Sequence, residues 1–252
     1  MTVSVCMATY NGCAYLREQL MSILSELGPE DECIVVDDGS KDGTLAILRS
    51  VSDSRVRVYE NAQNIGHVGA FERAMSLSSK EVIVLADQDD RWLEGRISLL
   101  VSALRKERCA VVTSNATYMR SDGTPVQHLD RIARPEDSRR SVKNILDILT
   151  GRSMYFGCAM AFKRELLSII LPIPRYVESH DLWIALAGNL LGQSVHIRDV
   201  TLVRRIHGGN ATNSRRRWSK KVKSRLVFVR SIGALLMRAG TWRVTGVAPR
   251  IP

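Results

Sequence analysis

Apolar positions along the first half of the chain fall into two alternating patterns. One is the short run that is apolar nearly throughout: VSVCMATY (residues 3–10), then ECIVVDDGS, VRVYENA, EVIVLAD and CAVVTSNATYM. The other repeats every three or four residues, as at Leu16, Leu20, Ile23, Leu24 and Leu27, and predicts helices over residues 14–27, 44–51, 68–77 and 93–106. Continuous apolar strands alternating with helices predict an α/β fold, a Rossmann-like, mostly parallel sheet with helices on both faces. Such sheets bind ligands beyond the carboxyl ends of their strands. Three polar clusters fall at those ends: Thr9, Tyr10 and Asn11; Asp37, Asp38, Gly39 and Ser40; and Asp87 to Asp90.

Beyond residue 120 the pattern loosens. SDGTPV reads as a turn between short strands, residues 131–140 as a charged loop, 141–149 as a helix, and MYFGCAMAFKRELL as a strand passing into a helix. A helix over 181–191, an extended SVHIRDVTLVRRI and a final helix over 215–237 complete the reading. The expected organisation is one domain over 1–213, with halves 1–120 and 121–213, and a tail over 214–252. A chain of 252 residues, 45% hydrophobic, can bury a full core in this way.

Charge sharpens that division. The net charge is +10, yet residues 1–199 carry 23 Lys and Arg against 26 Asp and Glu, while residues 200–252 carry 13 Lys and Arg and no acid. The excess is a property of the tail. The five cysteines are scattered without paired spacing and read as reduced core residues. The start lacks signal-peptide character, and no apolar run is long enough to span a bilayer, so a cytoplasmic location is expected.

The acids of VLADQDDRWL interrupt an apolar strand with Asp87, Asp89 and Asp90. Carboxylates so crowded raise one another's pKa unless a cation holds them. With no thiolate nearby, they suit a hard ion, Mn²⁺ or Mg²⁺, which prefers to share its coordination with substrate phosphate. In VVDDGSKDGT, Asp37 and Asp38 can accept from a nucleobase or a ribose, and Tyr10 can stack on a base or simply line the rim.

The ordered motifs ATYNG, VVDDGSKDGT, NIGHVGAFERA and LADQDDRWLEGRISLL resemble the family 2 nucleotide-sugar glycosyltransferases of the GT-A fold, and DQDD-x-W resembles their rhamnosyltransferase-type branch. The resemblance covers residues 2–213. It implies inverting transfer of a sugar from a nucleoside diphosphate, with rhamnose the first candidate and a dTDP- or UDP-sugar the donor. By similarity, Thr9, Tyr10, Asn11, Asp37, Asp38, Gly66, Asp87 and His207 hold the donor, and Asp89, Asp90 and His207 hold the metal, with Asp89 or Asp90 the direct ligand. VESHDLWIAL matches the place of a family Glu-Asp pair: His180 replaces Glu, and Asp181 is the expected base, a carboxylate at a helix N-terminus. Trp92, Gly157 and His180 fall on the acceptor side. RRIHGGNAT places Gly208, Gly209 and Asn210 beside His207. Ala70 stands where this branch often has Asn.

The tail combines cations with Trp218, Val222, Leu226, Val229 and Leu236 near helical spacing. It is read either as a stripe packed on the domain or as an amphipathic helix on an anionic inner leaflet, suited to a glycan or lipid-linked acceptor of cell-surface polysaccharide. A nucleic-acid module is disfavoured because the basic residues avoid the rim. A dinucleotide-dependent dehydrogenase is disfavoured because TYNGCAY lacks the G-x-G-x-x-G spacing. A non-catalytic nucleotide-sugar binder is the remaining alternative.

Overall fold

Strands β1 (Val3–Thr9), β2 (Glu32–Asp37), β3 (Val56–Glu60) and β4 (Val82–Asp87) form a parallel block of one sheet. They are linked by helices α1 (Leu16–Leu24), α2 (Thr44–Arg49) and α3 (Gly66–Leu77). The computed structural model describes residues 1–126, 133–152, 155–208 and 218–245; Met154, Gly209, Asn210 and the expected boundary at 213/214 lie outside them. The chain continues through β5 (Arg91–Trp92), α4 (Arg96–Lys106), β6 (Val111–Arg120), β7 (Pro125–Val126), α5 (Ser141–Thr150), β8 (Met160–Lys163), α6 (Leu167–Ile170), α7 (His180–Leu190), β9 (Ser194–Ile206) and α8 (Trp218–Thr245). The sheet order is β3-β2-β1-β4-β8-β6-β9-β5, with β7 paired to β6.

The runs of Val, Ile and Cys make β2 buried at every position and leave only the last residue of β4 partly exposed. Each such Val or Ile side chain contributes about 1.5–3 kcal/mol. The sheet is therefore a rigid platform, and its strand order reverses between β1 and β4. There the strand ends carry Thr9, Asp37 and Asp87, the place where an α/β sheet opens a crevice.

The core lies on both faces. One cluster joins Phe71 and Met75 of α3 to Trp183 and Ile184 of α7 and Leu235 of α8; the other joins Leu16, Leu20 and Ile23 of α1 to Leu100 and Leu104 of α4. Gly188 lets α7 lie close on β6, since a Cβ there would be 2.6 Å from Val111 Cγ2. At its start α7 is capped by Ser179, whose hydroxyl accepts from the Leu182 amide at 3.3 Å.

The pattern beyond residue 120 departs from expectation in two places. MYFGCAMAF is not a strand throughout: a 3₁₀ turn at Gly157–Ala159 precedes a four-residue β8, because the chain bends there to approach α7. The final helix is longer than expected and docks, burying Phe228, Ser231 and Leu235 against the domain. Of the apolar stripe read from sequence, Leu226, Val229 and Leu236 face outward, at 68%, 60% and 52% exposed, while the side chains of Trp218 and Val222 lie outside the described ones. No described helix is long and apolar enough to cross a membrane.

Candidate active site

The first two polar clusters mostly build the rim. Asp37 is fully buried; it accepts from the Thr9 hydroxyl at 2.9 Å, the Ser40 hydroxyl at 2.6 Å and the Ser40 amide at 2.9 Å. Asp38, 2% exposed, accepts from Asn61 Nδ2 at 2.7 Å and from the amides of Ile65 and Gly66 at 2.9 and 2.8 Å, so it caps α3 from a distance. Gly66 has φ +84°, the left-handed region that suits glycine. Asn11, at φ +47°, accepts from the Lys41 amide at 2.8 Å. Of this group the Tyr10 ring is presented to solvent, at 46% exposed.

The acids after β4 come together as a second group. Gln19 of α1 donates to the Asp87 carbonyl at 2.7 Å and fixes the strand end. Asp90 accepts from the Arg205 amide at 3.1 Å through Oδ1, while buried Oδ2 has no partner. Asp89 Oδ2 lies 2.7 Å from His207 Nε2, and the Asp89 carbonyl accepts from Arg205 Nε at 3.2 Å. Gln88 links this loop to the first motif: its Oε1 accepts from the Tyr10 amide at 2.9 Å and its Nε2 donates to the Tyr10 carbonyl at 3.0 Å. Gly12 makes that possible, since a Cβ there would be 2.1 Å from Gln88 Oε1.

Burial, together with the neighbouring carboxylates, pushes Asp90 up to about 8. Burial and the Asp89 charge push Asp87 up to about 6. An unpartnered buried oxygen among mutually repelling carboxylates fits a divalent cation. The expectation of no thiolate nearby needs one correction. Ligand atoms of Asp87, Asp90 and Cys158 lie within 4.8 Å of one another, so the fold brings a sulfur to the acids. Burial and those acids raise the Cys158 pKa well above its ordinary value, which keeps it a neutral thiol and leaves the carboxylates as the donors for a hard ion.

The start of α7 lies near the acids. The Asp181 carboxylate accepts from Ser179 Oγ and, at 2.9 Å, from the Leu182 amide, and its charge reaches Asp87. His180, 6% exposed, stacks on Phe71 with ring centroids 4.1 Å apart; neither ring nitrogen has a partner, and burial lowers its pKa to about 4. Gly157 packs between Leu85 and this turn, and a Cβ on it would meet His180 Nε2 at 2.9 Å and Asp181 Cβ at 3.5 Å. Trp92 stands apart from these groups. It is 4% exposed in the core, with the Arg96 guanidinium 4.6 Å from its ring centroid.

Sequence reasoning passed over Gln19, Gln88, Cys158, Arg96, Arg204 and Arg205. Gln19 carried a signal, a polar residue on the apolar face marked by Leu16, Leu20 and Ile23. Arg96, fully buried, donates to the Cys158 carbonyl and to Thr201, and so ties the acid loop to the turn before β8.

The chain and its fold have counterparts among known proteins. The chain is 28% identical over 113 residues to WfgD of Escherichia coli, a UDP-Glc:α-D-GlcNAc-diphosphoundecaprenol β-1,3-glucosyltransferase; the match covers 45% of each chain. The chain thus spans about half the length of the curated relatives it matches. In fold it is similar to residues 1–349 of Staphylococcus aureus TarS in complex with UDP-GlcNAc, at 17% identity and TM-score 0.67, covering 97% of this chain and 76% of that one. It is also similar to the mannosyltransferase PcManGT of Pyrobaculum calidifontis in complex with GDP-Man and Mn²⁺, at 19% identity and TM-score 0.63, covering 97% and 75%. The pattern of Glycosyl transferase family 2 matches residues 4–170, and with the acids of β4 set at the sheet's switch point, the chain belongs to that family.

Proposed function

We propose that this chain transfers a sugar, with inversion, from a nucleoside-diphosphate donor to a hydroxyl of a glycan or lipid-linked acceptor in cell-surface polysaccharide synthesis. The observation that supports this reading is the crowding of Asp87, Asp89 and Asp90 after β4 at the switch point, with Asp181 close enough for its charge to raise the Asp87 pKa. Tyr10, beside the ends of β1 and β2, offers a ring to the base. Asp89 or Asp90, with His207, would hold a divalent cation, Mn²⁺ or Mg²⁺, and Asp87 the ribose. Bound there, the cation supplies charge stabilisation to the departing diphosphate. Asp181 takes the proton of the attacking hydroxyl, oriented for it by its hydrogen bonds to Ser179 and the Leu182 amide. His180, neutral because burial lowers its pKa, offers an unpartnered ring nitrogen to the acceptor. The donor is proposed to be a dTDP- or UDP-sugar, with rhamnose the first sugar to try.

Calorimetric titration with UDP, dTDP and GDP, each with Mn²⁺ and again with EDTA, tests the donor half. Metal-dependent binding of one of them is expected, and binding of none refutes it. Asp181→Asn tests the base: turnover should fall about 10²–10⁴-fold with nucleotide binding unchanged. Normal turnover removes the assignment.

The outward face of α8 supports a location at the inner face of the membrane. Leu226, Val229, Leu236 and Met237 are exposed in a segment whose charges are all positive, the composition of a helix lying on anionic lipid. Deleting the tail would also strip Phe228 and Leu235 from the core, so the cleaner test is Leu226→Glu with Val229→Glu. Sedimentation with phosphatidylglycerol vesicles should be lost in that variant; unchanged sedimentation counts against the reading.

A further inference from the structure

Three arginines stand around the acidic cluster, and they are used differently. Arg96 donates to Cys158 and Thr201. Arg205 is 5% exposed; it pairs with Glu18 and donates to the carbonyls of Asp89, Arg120 and Ser121. Arg204 is different. Its guanidinium lies over Phe156, 3.8 Å from the ring centroid, and its buried Nε has no hydrogen-bond partner. Asp90, Asp87 and the Cys158 thiol are within its electrostatic reach, yet no described carboxylate lies at salt-bridge distance from it.

We infer that Arg204 is a further donor-binding residue, the guanidinium that receives the diphosphate of the nucleotide. This rests on the donor reading above and adds the anion-holding group. A carboxylate pair can hold a cation but repels phosphate, so a diphosphate in this cleft needs positive charge from the protein as well. A planar fork suits phosphate oxygens in pairs, and the Phe156 ring fixes the plane of that fork. Nε is buried, and no described carboxylate pairs with the guanidinium, so its terminal nitrogens are the ones left for an anion.

The test is calorimetry, with Mn²⁺ present, of wild type, Arg204→Met and Arg204→Lys against UDP, dTDP and GDP, the nucleoside of whichever binds, and inorganic pyrophosphate. Melting temperatures are measured alongside. Arg204→Met should lose roughly 10- to 100-fold in affinity for the diphosphate and for pyrophosphate and leave the nucleoside unchanged, the size expected for a charged hydrogen bond. Arg204→Lys, which keeps the charge without the fork, should recover part of the loss. Equal diphosphate affinity in Arg204→Met overturns this inference and leaves the donor reading standing. An equal loss for nucleoside and diphosphate, with a lowered melting temperature, makes Arg204 a structural counter-ion and also overturns it. A folded wild type that binds neither nucleoside diphosphate nor pyrophosphate removes both readings together.

Discussion

Replacing Gly157 by Ala adds one methyl group at the tightest contact between the turn before β8 and the start of α7. The new Cβ would lie 2.9 Å from His180 Nε2, 3.5 Å from Asp181 Cβ and 3.6 Å from Leu85 Cδ1. The last two are ordinary contacts, so the strain falls on the imidazole. His180 cannot retreat far, because its other face is stacked on Phe71 at 4.1 Å between centroids. Overpacking of this kind costs about 1–3 kcal/mol, and the lost backbone freedom of glycine in the unfolded chain returns about 0.4–1 kcal/mol. The net loss is roughly 0–2.6 kcal/mol, at about 2–4 °C in melting temperature for each kcal/mol. The effect on chemistry should be larger, since moving a positioned group by about 1 Å can cost about 10²-fold in rate. We expect kcat for donor turnover to fall about 10- to 100-fold while nucleoside-diphosphate affinity changes less than about twofold. His180→Ala provides the control. With the imidazole gone the methyl has room, so adding Gly157→Ala to it should leave stability the same or slightly higher. Unchanged turnover in Gly157→Ala refutes the reasoning, as does a loss that appears in nucleotide affinity instead of kcat.

Three further expectations can be checked directly. Asp87 and Asp90 have folded pKa values above their ordinary 3.8, so between about pH 4 and 8 the folded state binds more protons than the unfolded one and stability falls as pH rises. A divalent cation displaces those protons, and the rise in melting temperature on adding Mg²⁺ should be larger at pH 8 than at pH 5.5; the reverse order would contradict the assignment. Gly12→Ala pushes Gln88 off the Tyr10 backbone, and calorimetry should show a loss of roughly tenfold in nucleoside-diphosphate affinity, about the worth of one hydrogen bond. Leu235→Ala, at a 1% exposed site, should cost about 2–5 kcal/mol in urea unfolding, whereas Leu236→Ala, at 52% exposed, should cost less than about 0.5 kcal/mol.

What could be read from the chain was local. The apolar runs of β1, β2 and β4 announce themselves because both faces of a parallel sheet are covered, and the acids that end them fall where such sheets bind ligands. The place of Asp181 at a helix N-terminus follows from VESHDLWIAL, whereas the cap itself is Ser179 and the contact of Asp89 with His207 joins segments 118 residues apart. The division of labour among the acids was not legible. Asp37 and Asp38 look alike in DDGS, yet one clasps Thr9 and Ser40 and the other holds the start of α3, contacts set by segments distant in sequence. Cys158 and Arg204 reach the acid loop only because β8 and β9 return to the same sheet, and no spacing rule encodes that return. The direction of the α8 stripe was open in the sequence, and Leu226, Val229 and Leu236 face outward where Phe228 and Leu235 occupy the side toward the core.

The position of β8 has a consequence for how the chain is made. β4 ends the parallel series, and the strand that covers its open edge is β8, with Val82 opposite Lys163 and Val84 opposite Ala161. On a ribosome the first four strands emerge well before that partner, with an unpaired strand edge exposed in the interval. A fragment ending near residue 120 would keep that edge permanently and should self-associate rather than behave as a separable module. Completion of the sheet requires this late, distant pairing, so folding is expected to be slow and sensitive to lesions in the four residues of β8, which carry no chemistry of their own.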